Sequence, residues 1–110
     1  SKFISEFSEC SLKEKYIENF EAPFVDESEI SIGLNYLNDY KIIENGVVMI
    51  IGEVKHIIIK SSNHLQENGE INFESSQSAG VSGNNTYYTI KKYKTLDYVS
   101  SSEKFDPENY

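Results

Sequence analysis

A mainly β fold of antiparallel strands is predicted for this chain on three observations. The first is the stretch Val47 to Ile59, VVMIIGEVKHIII, which is mostly apolar and rich in β-branched residues. Such side chains are stiff at χ1 and suit a pleated strand. The second is Glu44-Asn45-Gly46 just before it. Asn-Gly between two apolar runs signals a hairpin, because both residues tolerate positive φ. The third is the alternation in Glu29 to Ile43. There Ile30, Ile32, Leu34, Tyr36, Tyr40 and Ile42 share one parity, and Ser31, Asn35, Asp39 and Lys41 share the other. That is the pattern of a half-buried strand.

The elements follow in order. Ser1 to Phe20 mixes charge with spaced apolar residues, and Ser11 stands three residues before Glu14 as in a capping box. A short helix is therefore predicted over Leu12–Glu18, within a helix-and-loop lid over 1–27. Pro23 ends any helix, and Phe24 and Val25 lead toward the first long strand. Asp26 to Glu29 reads as a solvated acidic link. In Val47–Ile59, parity places Val48, Ile50, Gly52, Val54, His56 and Ile58 on one side. Met49, Ile51, Glu53, Lys55, Ile57 and Ile59 fall on the other. Both sides are largely apolar, so both are expected to be covered, as in an interior strand of a barrel or sandwich. The run is shorter than the about 20 residues of a membrane-spanning helix. Lys60 to Glu70 is polar, with a turn at Asn68-Gly69. Ala79 to Tyr88 reads as a Gly-rich turn before a strand Tyr87–Tyr93, and Lys91 to Val99 as a last strand or extended tail. The β-rich part thus runs over 28–99, and 100–110 is a polar tail.

The chain has 110 residues, enough for one domain. Its net charge is −8 and all its basic residues are Lys. Without Arg there is no bidentate phosphate clamp, and an acidic chain is a poor binder of nucleic acid or anionic membrane. Cys10 is the one cysteine, so no internal disulfide forms, and it reads as a structural or surface thiol. His56 in the strand and His64 in a polar loop have no ligand cluster around them, so no metal site is expected. Glu53 beside Gly52 reads as a hydrogen-bonded or interface carboxylate rather than a catalytic one. No signal peptide or lipidation motif is visible, and a cytoplasmic protein is expected. The start at Ser1-Lys2-Phe3, without Met, suggests a piece of something longer.

Several landmarks occur in one order: Ser5-Glu6-Phe7, EAPFV at Glu21 to Val25, GEVKHIII at Gly52 to Ile59, QENGEIN at Gln66 to Asn72, and VSGNNTYY at Val81 to Tyr88. This order resembles the C-terminal half of the flavin reductase-like proteins, the FMN-binding split-barrel family, nearly as far as Val99. The resemblance implies an antiparallel Greek-key split β-barrel, here only its C-terminal part, with a short helix near the N-terminus. It implies a homodimer that binds FMN near the dimer interface, with NAD(P)H as the hydride source in some members. The flavin would supply the chemistry and the protein its position and electrostatics.

Carried over to this sequence, the resemblance points to Lys2, Asn84, Asn85 and Tyr87 as cofactor-binding residues. Ser1 stands where the family's element around Lys2-Phe3 often has Asp, and the longer N-terminal half that holds the phosphate is absent. No catalytic residue is assigned. The expected function is that of a flavin reductase-like FMN-binding protein. The alternatives are a flavin or small-ligand binding module without turnover, and a structural or dimerisation fragment.

Overall fold

The structure is a computed structural model that describes residues 4–97 and 108. Lys2, Ser1, Phe3, the end of the predicted last strand at Tyr98-Val99, and all of the tail but Glu108 lie outside the described residues. The elements are a helix α1 (Glu6–Glu9) and six strands: β1 (Glu14–Ile17), β2 (Phe20–Val25), β3 (Ile30–Ile42), β4 (Val47–Ile59), β5 (Ala79–Ser82) and β6 (Thr86–Thr89). A 3-10 turn, Ser62–His64, follows β4. The strands form three antiparallel pairs, β1-β2, β3-β4 and β5-β6, that do not join into one sheet. The mainly β, antiparallel reading is therefore borne out. Among the described residues the three sheets are not closed into a barrel.

The helix predicted over Leu12–Glu18 is not formed; that stretch is β1 and its turn. Ser11 does not open a helix but closes one. Its φ is 56°, its N–H meets Ser8 O at 3.3 Å, and Leu12 N–H meets Phe7 O at 2.8 Å. That pair of bonds is the Schellman end of α1, so the look-alike capping box is a helix stop. Asn19, at φ 61°, makes the turn between Ile17 and Phe20. The β1-β2 register slips between Lys15 and Ile17, where the facing stretch of β2 contains Pro23, which has no N–H to give. Asp26 to Glu29 is more than a solvated link. Glu27 accepts from the Lys13 N–H at 3.0 and 3.1 Å, and Lys60 Nζ donates to Asp26 O.

The long hairpin is as predicted, with Ile42↔Val47 next to the turn, Gly46 at φ 70°, and Ile30↔Ile59 at the root. Its sidedness differs from simple parity. The register shifts between Gly33 and Leu34, where Lys55 is the extra residue, and between Tyr36 and Asn38, where Leu37 is. Each extra residue reverses the alternation of its strand. One side therefore carries Ile30, Ile32, Leu34, Val54, Ile57 and Ile59 at the root. Tyr40, Ile42, Val47, Met49 and Ile51 lie on the other side, at the tip. Tyr36 donates its hydroxyl to Asp39. That bond, helped by slight desolvation, holds the Tyr36 phenol above its ordinary range.

Neither apolar patch is covered by the described residues. Leu34, of the root patch, is 50% exposed and Met49, of the tip patch, 48%. Among the described strands β4 thus has one partner, β3, and does not stand in a sheet interior as expected. The chain exposes 9917 Å², against about 6,200 Å² for a compact protein of its mass. Packing concentrates where β2 crosses the root. Phe24, 6% exposed, stacks on Phe20 at 5.3 Å, and Phe20 meets His56 edge-on at 5.1 Å. Gly33 makes room for them, since a Cβ there would lie 2.9 Å from Phe24 Cζ and 3.0 Å from Phe20 Cζ.

Candidate functional site

The candidate site is the β5-β6 hairpin and the loop beside it. β5 pairs with β6 from Ala79↔Thr89 to Ser82↔Thr86, leaving Gly83-Asn84-Asn85 as the turn. Gly83 has φ 62° and no atom within 4 Å of where a Cβ would stand. It is needed for the backbone bend, not for close contact within the chain. Asn84 and Asn85 stand exposed at this turn. The Gly-rich stretch is therefore a hairpin of its own. The strand expected over Tyr87–Tyr93 is shorter, ending at Thr89, and residues 91–97 form no strand.

Two adjacent tyrosines in a strand point to opposite sides. Tyr87 pairs with Val81 and is 69% exposed, while Tyr88 pairs with Gly80 on the other side. A flat ring can stack on one of them only. Asn84, Asn85 and Tyr87 are brought together by the turn itself, whereas Lys2 lies outside the described residues.

A groove of about 530 Å³ lies at the far end of this hairpin. Ile71, Phe73 and Ile90 give it an apolar floor, and Glu70, Glu74 and Lys92 its charge. Lys92 N–H donates to the Glu74 carboxylate at 2.8 Å, tying the segment after β6 to the loop. The predicted residues at the turn do not line it. Four strand residues, about 13 Å, separate the turn from Ile90.

The loop from Ser61 to Ser78 is held by a group that sequence reading passed over. His64 is 7% exposed. Its Nδ1 lies 2.9 Å from Ser75 Oγ and its Nε2 3.1 Å from Glu29 Oε2. Acid, imidazole and hydroxyl thus stand in a row like a relay. Ser75 Oγ, however, is also 3.3 Å from Asn63 O and 3.2 Å from Asn72 O. A hydroxyl has one proton, and here three acceptors surround it. The trio joins the root of β3, the 3-10 turn and the serine turn, and is read as a fastening. Asn72 Oδ1 accepts from Glu74 N–H and Ser75 N–H, and Ser76, buried, donates to Phe73 O at 3.2 Å. The Asn72-x-x-Ser75 spacing was the local signal available for this turn. Among the described residues no group of three His, Cys, Asp or Glu is placed to hold a metal. None of the described helices is long and apolar enough to cross a membrane.

No protein-family model matches the chain, and no curated protein matches it. A solved structure does. It is a provisionally assigned flavin reductase with a split barrel domain from Shewanella frigidimarina NCIMB 400, matched over 90% of this chain at 30% identity and a TM-score of 0.81. This chain is built like half of that split-barrel protein. It spans 50% of that chain's length. The resemblance read from the order of the motifs is borne out by this likeness.

Proposed function

We propose that this chain is the C-terminal part of a flavin reductase-like, FMN-binding split-barrel protein. In the completed protein, reducing equivalents pass between NAD(P)H and flavin. The observation that carries this reading is the likeness over 90% of the chain to a flavin reductase with a split barrel domain. In the reading, Tyr87 offers a face to the isoalloxazine ring, and the amides at Asn84 and Asn85 meet its polar edge. Lys2 supplies a point charge near the phosphate. The flavin's own ring stores and hands on the hydride. The completed protein is a homodimer.

This chain alone is expected to bind FMN weakly or not at all. The phosphate is dianionic near neutral pH and needs several N–H groups or cations converging on it. The chain carries −8 and no Arg. Stacking on Tyr87 is worth roughly 1–3 kcal/mol, well short of the about 8 kcal/mol of micromolar binding. Titration of FMN into the chain, followed by flavin fluorescence, checks this. Saturable quenching at or below micromolar FMN would place the phosphate site within these residues. Oxidation of NAD(P)H with added FMN by the completed protein separates a reductase from a binder without turnover.

A further inference from the structure

We propose that Asn45 is a site of self-modification, where the Gly46 backbone nitrogen displaces the side-chain amide. The fold makes it react ahead of the chain's other Asn-Gly pair, Asn68-Gly69. Both asparagines hold the same local arrangement. Asn45 Oδ1 accepts from the Val47 N–H at 3.1 Å, and Asn68 Oδ1 from the Glu70 N–H at 3.0 Å. Such a bond folds the side chain over its own turn. It also polarises the amide carbon and meets the negative charge that gathers on Oδ1 during attack, as an oxyanion donor does. The attacking nitrogen belongs in each case to a glycine, at φ 70° and 87°, with no atom within 4 Å of where a Cβ would stand. Asn72 has similar bonds, accepting from Glu74 N–H and Ser75 N–H, but there the attacking residue would be Phe73, whose side chain crowds the nitrogen.

The chemistry needs water and nothing else from outside. The Gly46 nitrogen gives up its proton and bonds to Asn45 Cγ. The bond from Cγ to the side-chain nitrogen breaks, and ammonia leaves with that proton. A five-membered cyclic imide remains. Water then adds to one of its two carbonyls and opens the ring. Opening at Cγ gives aspartate. Opening at the backbone carbonyl gives isoaspartate, whose main chain runs through Cβ. No electrons are gained or lost; water enters and ammonia departs.

The two sites differ in what must open and in the charge around them. The Gly69 N–H is bound to Gln66 O at 2.9 Å, in a turn that the Gln66 N–H closes onto Glu70 O at 2.8 Å, next to the Leu65↔Ile71 bridge. The Gly46 N–H is bound to Ile42 O at 3.0 Å at the end of a ribbon, and ends open most readily. Glu67 and Glu70 flank Asn68-Gly69 on both sides, whereas Glu44 alone adjoins Asn45-Gly46. Carboxylates oppose the amide's loss of its proton. Once formed, isoaspartate adds a backbone carbon between residues 45 and 46. The Gly46 bond to Ile42 is then out of step, and the Ile42↔Val47 pair frays. Either product adds a negative charge to a chain already at −8. None of this needs flavin, so it stands or falls apart from the flavin reading.

The test is incubation of the chain in heavy-oxygen water at mildly alkaline pH. Digestion and tandem mass spectrometry with electron-driven fragmentation then read each asparagine separately and tell isoaspartate from aspartate. Asn45 should take up heavy oxygen at least about twofold faster than Asn68, as one carboxylate fewer implies, with isoaspartate among its products. Gly46→Asn should slow the loss at Asn45 about tenfold or more, because a side chain then stands on the attacking residue. Asn68 ahead of Asn45, or Asn45 no faster than Asn72, overturns the proposal. So does an unchanged rate at Asn45 in Gly46→Asn, since direct attack by water would then be removing the amide.

Discussion

Replacing His64 with alanine is expected to lower the stability of the chain by about 2–3 kcal/mol, since a buried ring and both its hydrogen bonds go at once. The ring is 7% exposed and ties Glu29 to Ser75 across 35 and 11 residues of sequence. Its loss unties the loop Ser61 to Ser78 from the root of β3, while the Glu74 carboxylate still holds the Lys92 N–H. For a chain of this size, that is a fall in melting temperature of roughly 10–20 °C. Limited proteolysis should cut first between Asn63 and Ser75. Glu29→Gln, which keeps an acceptor for Nε2–H on a half-exposed partner, should cost less than about 1 kcal/mol. Equal losses for the two variants would show that the contact with the Glu29 carboxylate, not the buried ring, fastens the loop.

The second large effect is expected at Gly33. A valine there puts Cβ within 3.0 Å of both Phe24 and Phe20, and its branches closer still. Overpacking of this kind costs about 1–3 kcal/mol, and here it strikes the best-buried apolar side chain described. The denaturant midpoint should fall with little change of slope. Gly46 is the contrast. It has nothing within 4 Å but a φ of 70°. Gly46→Asn should therefore be nearly neutral, because Asn accepts that backbone region. If Gly33→Val proved as mild as Gly46→Asn, β2 would not press on the ribbon as described.

The long hairpin was legible because its signals are local: an Asn-Gly turn and β-branched runs on both sides of it. Its sidedness was not. Leu37 and Lys55 sit among neighbours of similar kind, and nothing in their chemistry marks them as extra. Ser11 and Glu14 have the spacing of a helix start, but the backbone at Ser11 turns left-handed, and Asn19 supplies the turn that makes β1 a strand. Asn84, Asn85 and Tyr87 could be read because they are contiguous, and the opposite facing of Tyr88 follows from strand parity alone. His64 could not be read. Its partners are Ser75 and Glu29, too far along the chain for any spacing to announce them.

The extra residue in β3 has an implication for what the gene can lose. Tyr36 faces Gly52 and Asn38 faces Ile51, neighbours on the opposite strand. Loss of codon 37 would therefore leave every cross-strand partnership as it is, whereas loss of codon 40 would force the strand to slip and expose new groups. Leu37 is a spare part as far as pairing goes. What it adds is curvature, because an inserted residue bends and twists its strand. A deletion of Leu37 should keep the cross-strand proximities seen by NMR yet straighten and untwist the ribbon. Unpairing of the whole tip would instead show that the bend and the pairing cannot be separated.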